Sequence, residues 1–330
     1  MPATITSIAH FVPPDIYDNN YFASYLDTSD EWIMQRTGIK ERHFLKEGAT
    51  SDMIIPAAKK CLEKRGLTPQ DIDCVLVCTV TPDHSFPITA AIVQHKLGID
   101  KAWGFDMNAA CSSFVFALVT ACKLVEGGAA KRVLLCGGDK MTSIMNPDDR
   151  NQAVLFGDGA GVAIIEMSDD PNMGLRDHIL NIDGSGEKHL KMFAGGSARP
   201  ATIETVTNKE HYIHQEGQAV FKAAVKGMAD VSVEIMEKNN LKSEDIKWLI
   251  PHQANLRIIK ATADRMKISE NQVKVNIERY GNTTSATIPI CISELSDDKQ
   301  LNDGDNIVLA SFGAGFTWGA VYFKWHTNGH

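Results

Sequence analysis

Three short segments each present one chemically useful side chain framed by small or turn-forming residues. They are Asn108-Ala-Ala-Cys111-Ser-Ser113, Pro251-His252-Gln-Ala-Asn255 and Tyr280-Gly281-Asn282-Thr-Thr-Ser285. Between them they offer a thiol, an imidazole and a carboxamide: a nucleophile, a proton carrier and a hydrogen-bond donor. That set suits acyl transfer, in which a thioester forms on the cysteine and an enolate is then stabilised. Each residue alone has a plainer reading. A lone cysteine is usually a buried apolar side chain, a lone histidine a satisfied core or surface group, and Asn after Gly a turn or cap residue. It is the trio that points to chemistry. Small neighbours around Cys111 permit a tight turn, and the apolar stretch from Phe114 predicts a helix whose positive end is expected to lower the thiol pKa. His252 follows the apolar run Trp248–Ile250 and a proline, at the loop end of a predicted strand. A fourth segment, Ala310-Ser-Phe312-Gly313-Ala314-Gly315, reads as a glycine-rich turn able to aim backbone N–H groups at an oxyanion.

The elements that must position these groups repeat within the chain. Leu67-Thr-Pro-Gln-Asp71-Ile72 and Leu241-Lys-Ser-Glu-Asp245-Ile246 each lead from a helix into a short apolar strand, and 245 − 71 = 174. Val133-Leu-Leu-Cys136 and Ile307-Val-Leu-Ala310 repeat the offset, as continuous apolar runs expected of strands covered on both faces. At the same spacing Cys111 falls on Ser285, so two polar segments open two apolar helices in equivalent places. The pattern predicts two similar α/β halves with a site between them: residues 1–168 and 216–330, joined by an aperiodic connector over 169–215 that is long enough to shape a substrate entrance.

Composition narrows the class. The chain has 330 residues, 44% of them hydrophobic, enough for a large buried core. A formal net charge of −8 argues against nucleic acid as the main partner. The seven cysteines, odd in number and mostly in apolar runs, read as reduced thiols without a disulfide framework. They lack the paired spacing of a zinc site, so no metal is expected. The start of the chain lacks the basic–apolar pattern of a signal peptide, and no apolar run reaches the ~18 residues of a membrane span. A soluble cytoplasmic protein is expected.

At this point the sequence resembles a known family. Asp30-Glu-Trp32-Ile-Met-Gln-Arg36, Thr81-Pro-Asp-His-Ser-Phe86-Pro, the Cys111, His252 and Asn282 segments, Phe156-Gly-Asp-Gly-Ala-Gly161 and Ser311-Phe-Gly-Ala-Gly-Phe-Thr-Trp-Gly319 are similar to the signatures of β-ketoacyl-acyl-carrier-protein synthase III along essentially the whole chain. The resemblance implies an α/β thiolase fold, five-layered αβαβα, forming a homodimer. It implies condensation of an acyl-CoA starter with malonyl-acyl-carrier protein through an acyl-Cys111 intermediate, the initiating step of type II fatty acid synthesis, with no cofactor. By matching position, Cys111, His252 and Asn282 are catalytic, and the N–H groups of Cys111 and Ala314 form the oxyanion hole. Trp32, Arg36, Arg150, Phe221 and Asn255 contact CoA. Phe86 and Phe312 border the acyl pocket, Phe86 near the partner subunit, and Lys222 and Arg257 dock the carrier protein.

Departures and rivals bear on what is expected. Ala314 stands where the family has the middle of three glycines, which its backbone dihedrals must tolerate. Asn151-Gln-Ala153 differs from the usual continuation after Arg150, and the connector through Ala194–His214 is longer than usual. A biosynthetic thiolase would carry a second cysteine in the late glycine-rich loop, where this chain has Ser311-Phe312. A related Cys/His/Asn acyltransferase, or a condensing enzyme of secondary metabolism with another acceptor, is the alternative.

Overall fold

The structure is a computed structural model and describes residues 1–326; the last four residues of the expected second half lie outside the described residues. Nine strands and seven helices carry the architecture. The strands are β1 (Ala3–Phe11), β2 (Cys74–Cys78), β3 (Trp103–Met107), β4 (Val133–Asp139), β5 (Gly159–Met167), β6 (Gly174–Ile182), β7 (Trp248–Pro251), β8 (Asn306–Gly313) and β9 (Thr317–Lys324). The helices are α1 (Asp30–Thr37), α2 (Thr50–Arg65), α3 (Thr89–Leu97), α4 (Ser113–Glu126), α5 (Gly217–Lys238), α6 (Leu256–Met266) and α7 (Thr287–Asp297).

One sheet runs β1-β5-β4-β2-β3 and the other β6-β9-β8-β7. Equivalent pairs keep the same sense: β1/β5 and β6/β9 antiparallel, β4/β5 and β8/β9 antiparallel, β2/β4 and β7/β8 parallel. A parallel bridge from Leu249 to Val273 stands where β3 flanks β2 in the first sheet. The continuous apolar runs are the fully covered strands, as every residue of β2 and β4 is buried.

Layering follows from which faces are apolar. α4 and α7 are apolar nearly all round, nine residues of each being buried, and a helix of that kind needs cover on every side. They lie between the sheets, in a core that joins Phe114, Leu118 and Ile288 to Leu76 of one sheet and Leu309 of the other. α2 and α3 cover the outer face of the first sheet through Ile54, Ala58 and Val93. α5 and α6 cover the second through Met228, Ile235 and Ile258. The order is αβαβα.

The segment 169–215 is more than a connector. Its residues Gly174–Ile182 form β6, paired along β9 at the edge of the second sheet. An edge strand with one half-exposed face needs no apolar run, and Gly-Leu-Arg-Asp-His-Ile-Leu-Asn-Ile shows none. Beyond it, a two-stranded ribbon pairs Leu190–Met192 with Ile213–Gln215, and residues of both strands line the central cavity.

Candidate active site

Cys111, His252 and Asn282 come from three elements and line one cavity of about 870 Å³, within the range for small-molecule sites. Cys111 sits in the single turn Ala110–Ser112 that leads into α4. Ala110 takes a left-handed φ of +50°, which turns the chain sharply before Cys111. Side chains pin that turn: Ala110 N–H donates to Asn108 Oδ1 (3.0 Å), and Ala109 N–H to Ser113 Oγ (2.8 Å). The thiol is half-buried. Burial, with the Asp139 carboxylate adding to it, pushes its pKa up to about 12. The lowering expected from the helix end is therefore overridden by desolvation, the resting group is a thiol, and its proton must be removed at attack.

His252 is buried just past β7, where its N–H donates to Ala310 O (2.8 Å). Burial pulls the imidazole down to about 3, so it is neutral at pH 7. Its Nδ1 lies 2.8 Å from Thr287 Oγ1, and that hydroxyl donates to Thr284 O at 3.1 Å. With the hydroxyl proton so placed, Oγ1 accepts from Nδ1–H, and Nε2 keeps a lone pair. Among the described residues Nε2 has no hydrogen-bond partner. A buried acceptor left unpaired is poised for a proton from substrate or nucleophile.

Asn282 is oriented with equal care. Its N–H donates to Leu155 O (2.8 Å), and its carbonyl accepts from Gly157 N–H (3.1 Å). Its Oδ1 accepts from Thr284 N–H at 2.9 Å, so Nδ2 is left to donate elsewhere. Thr284 and Thr287 are functional neighbours that sequence reasoning missed. The repeat offset pairs Thr284 with Ala110, and both are left-handed; nothing in the sequence singles out Thr287.

The late glycine-rich turn closes the site from β8. A Cβ at Gly313 would stand 2.7 Å from Cys111 N and 3.1 Å from Ser112 N. The missing side chain therefore leaves room beside those amides for a carbonyl oxygen. Ala314 follows in the cavity wall and is not among the left-handed residues, so its methyl group is accommodated.

The other expected residues divide. Trp32, Arg36, Arg150, Phe221, Asn255, Phe312, Lys222 and Arg257 all line the cavity. Ser29 caps α1 by accepting from Trp32 N–H (3.1 Å). The guanidinium carbons of Arg36 and Arg150 lie 4.7 and 5.2 Å from the Trp32 ring centroid, and Arg150 also holds Asp27 Oδ2 at 3.1 Å. Asn255 also has a structural part. Its Oδ1 caps α6 through Arg257 N–H (2.9 Å) and its Nδ2 donates to Arg36 O (2.8 Å), which ties α6 to α1. Phe86 does not line this cavity; it is 86% exposed on the loop before α3.

Comparisons with known proteins identify the family. The family model described as 3-oxoacyl-[acyl-carrier-protein] synthase III matches residues 105–184, and its C-terminal counterpart matches residues 236–325. The chain is 51% identical to β-ketoacyl-[acyl-carrier-protein] synthase III of Chlorobium phaeobacteroides over 98% of this chain and 100% of that protein. It is 52% identical to the protein of the same name from Chlorobium chlorochromatii, with the same coverage. The solved structure of 3-oxoacyl-[acyl-carrier-protein] synthase III from Aquifex aeolicus superposes with a TM-score of 0.90 at 37% identity, covering 98% of this chain and 100% of that one. The fold and these relatives define a thiolase-fold condensing acyltransferase. Within that class, the chain belongs to the β-ketoacyl-acyl-carrier-protein synthase III family.

Proposed function

We propose that this chain condenses an acyl-CoA with malonyl-acyl-carrier protein, giving 3-oxoacyl-carrier protein, CoA and CO2, the step that initiates type II fatty acid synthesis. The observation that carries the reading is the convergence of a thiol, an unpartnered imidazole nitrogen and an oriented amide on one cavity. In the first half-reaction Cys111 Sγ attacks the thioester carbon and its proton passes to His252 Nε2. The developing oxyanion sits beside the Cys111 and Ala314 amides. The carbon–sulfur bond to CoA breaks, the departing thiolate takes the proton back from His252 Nε2, and CoA leaves as the thiol. Malonyl-carrier protein then enters, and His252 takes up a proton from water as the malonyl carboxylate comes to stand beside it. Protonated His252 Nε2 and Asn282 Nδ2 donate to its thioester oxygen, the bond to the carboxylate breaks, and CO2 departs. The resulting enolate carbon attacks the acyl-Cys111 carbonyl, and the expelled Cys111 thiolate recovers its proton from His252. One proton is consumed overall, and the route balances without a metal or redox cofactor. Because burial disfavours a charged His252, the proton is held only while an anion, the departing thiolate or the malonyl carboxylate, stands beside it.

Trp32 with Arg36 and Arg150 suits an adenine nucleotide, since a flat ring and two guanidiniums offer stacking and phosphate pairing. Lys222 and Arg257 are exposed and form no ion pair among the described residues, whereas Lys226 and Lys260 are paired with Asp230 and Glu270. That leaves the first two to meet an acidic carrier protein. A homodimer is supported by the free edge of β3, with Trp103 44% exposed, and by exposed Phe86 and Ile88 nearby in sequence. In a dimer, Phe86 would border the partner's acyl pocket. Seven free thiols favour the reducing cytoplasm, and among the described residues no helix is long and apolar enough to cross a membrane. The test is reconstitution with purified acyl-CoA and malonyl-carrier protein. Production of 3-oxoacyl-carrier protein with equimolar CO2 supports the reading; turnover with another acceptor but none with malonyl-carrier protein moves it to the secondary-metabolism alternative.

A further inference from the structure

Asp139, the last residue of β4, is fully buried, belongs to none of the groups assigned above, and has no lysine or arginine partner among the described residues. Hydrogen bonds hold it instead, as a buried carboxylate requires. Its Oδ1 accepts from Thr79 Oγ1 (2.9 Å), Val80 N–H (2.7 Å), Thr81 N–H (3.2 Å) and Thr81 Oγ1 (3.0 Å). Its Oδ2 accepts from Ser285 N–H (3.0 Å) and Ser285 Oγ (2.6 Å). One end thus grips the loop after β2, and the other grips the turn that carries Asn282.

The internal repeat shows what that second grip stands for. At the 174-residue offset, Ser285 corresponds to Cys111, Thr284 to Ala110 and Asp139 to Gly313. Ala110 and Thr284 have the same left-handed conformation, φ +50° and +54°. A Cβ at Gly313 would point at Cys111 N from 2.7 Å, just as the Asp139 side chain reaches Ser285 N. The same turn is therefore built twice. In one copy the space beside the amide is open to a substrate oxygen; in the other a carboxylate fills it and clamps the turn. The clamped turn contains Thr284, whose N–H orients the Asn282 amide.

We propose that Asp139 is a positioning residue for the decarboxylating half-reaction: by clamping Ser285 it holds Thr284 and so aims Asn282 Nδ2 at the malonyl thioester oxygen. The inference rests on the condensing-enzyme reading above. The Cys111 turn has its own anchors, including Ser112 Oγ to Thr317 O at 3.0 Å, so acylation of Cys111 does not need the clamp. A structural role alone would lower both half-reactions together, because both scale with the folded fraction.

The test compares Asp139→Asn and Ser285→Ala with the parent enzyme, timing acyl-Cys111 formation from whichever acyl-CoA acylates the parent fastest and its discharge by malonyl-carrier protein separately. Asp139→Asn also removes a charge that disfavours the Cys111 thiolate, so acylation is expected to stay at or above about a third of the parent rate while discharge falls roughly 10- to 100-fold, the range set by misplacing a reacting group. Ser285→Ala keeps the Asp139 bond to the backbone and shows a smaller fall, again confined to discharge. Equal losses in the two half-reactions, or undiminished discharge, overturn the proposal. If Asp139→Asn does not fold, Ser285→Ala decides by the same criterion. A parent enzyme that acylates and never discharges to malonyl-carrier protein brings down the condensing reading itself, and this inference with it.

Discussion

Replacing Thr287 with valine tests whether His252 works through a fixed tautomer. Valine matches threonine in shape and removes only the hydroxyl, which accepts from His252 Nδ1 at 2.8 Å and donates to Thr284 O at 3.1 Å. Both ends of that link are buried. Without the hydroxyl neither tautomer is paired, because Nε2 has no partner among the described residues either, and the bias that leaves Nε2 free is lost. The imidazolium that forms when Nε2 takes the Cys111 proton loses more, since a hydrogen bond from a charged donor is worth about 1 kcal/mol more than one from a neutral donor. At 1.36 kcal/mol per tenfold, the two effects together slow acylation roughly 5- to 20-fold. Thr287 is not in the cavity wall, so the KM for acyl-CoA should stay near the parent value. Thr287→Ser keeps the hydroxyl and should restore most of the rate. Rapid-quench mass spectrometry of the acyl-enzyme reads the step directly. Acylation by Thr287→Val at the parent rate, or Thr287→Ser as slow as Thr287→Val, would refute the tautomer argument.

Two further outcomes follow from the same geometry. The unfolded chain protonates its histidines near 6.5, whereas burial holds His252 neutral down to about 3, so the unfolded state binds the extra proton between those values. The stability His252 contributes is therefore complete above pH 6.5 and is lost progressively as pH falls towards 3, by about 2 kcal/mol at pH 5; urea titrations at pH 7.5 and 5 should show a loss smaller by about that amount in His252→Gln than in the parent, His10 and His178, also held low by desolvation, adding to the loss in both. Charge reversal at Arg257, whose guanidinium stacks 4.7 Å from the Phe221 ring, together with Lys222→Glu, should raise the KM for malonyl-carrier protein at least tenfold at low salt. The effect should shrink in 0.5 M salt as charges are screened, and salt-independent loss would point to damaged packing instead.

The repeat was legible because its strands are buried on both faces, so β2 with β7 and β4 with β8 stand out as apolar runs whatever surrounds them. β6 was hidden in the connector because an edge strand alternates irregularly and carries Arg176, Asp177 and His178. That Cys111, His252 and Asn282 meet at one cavity was readable from their small and turn-forming neighbours, which a tight approach of backbone to a ligand requires. Their ionisation was not. The sequence places Cys111 at a helix start, but the depth of burial and the nearness of Asp139 come from chain segments far away, and these reverse the expected shift. Asn255 shows another limit: that it caps α6 and ties it to α1 depends on where α1 lies in space. Thr287 and Asp139 act through other residues, and such roles leave no local mark.

The most direct test is intact-protein mass spectrometry after incubation with a panel of acyl-CoAs, for the parent and for Cys111→Ala, followed by a chase with malonyl-carrier protein. The account predicts one acyl adduct that depends on Cys111 and is discharged by the chase into 3-oxoacyl-carrier protein, with the preferred adduct naming the starter. An adduct that survives in Cys111→Ala, or no adduct with any acyl-CoA, would contradict it.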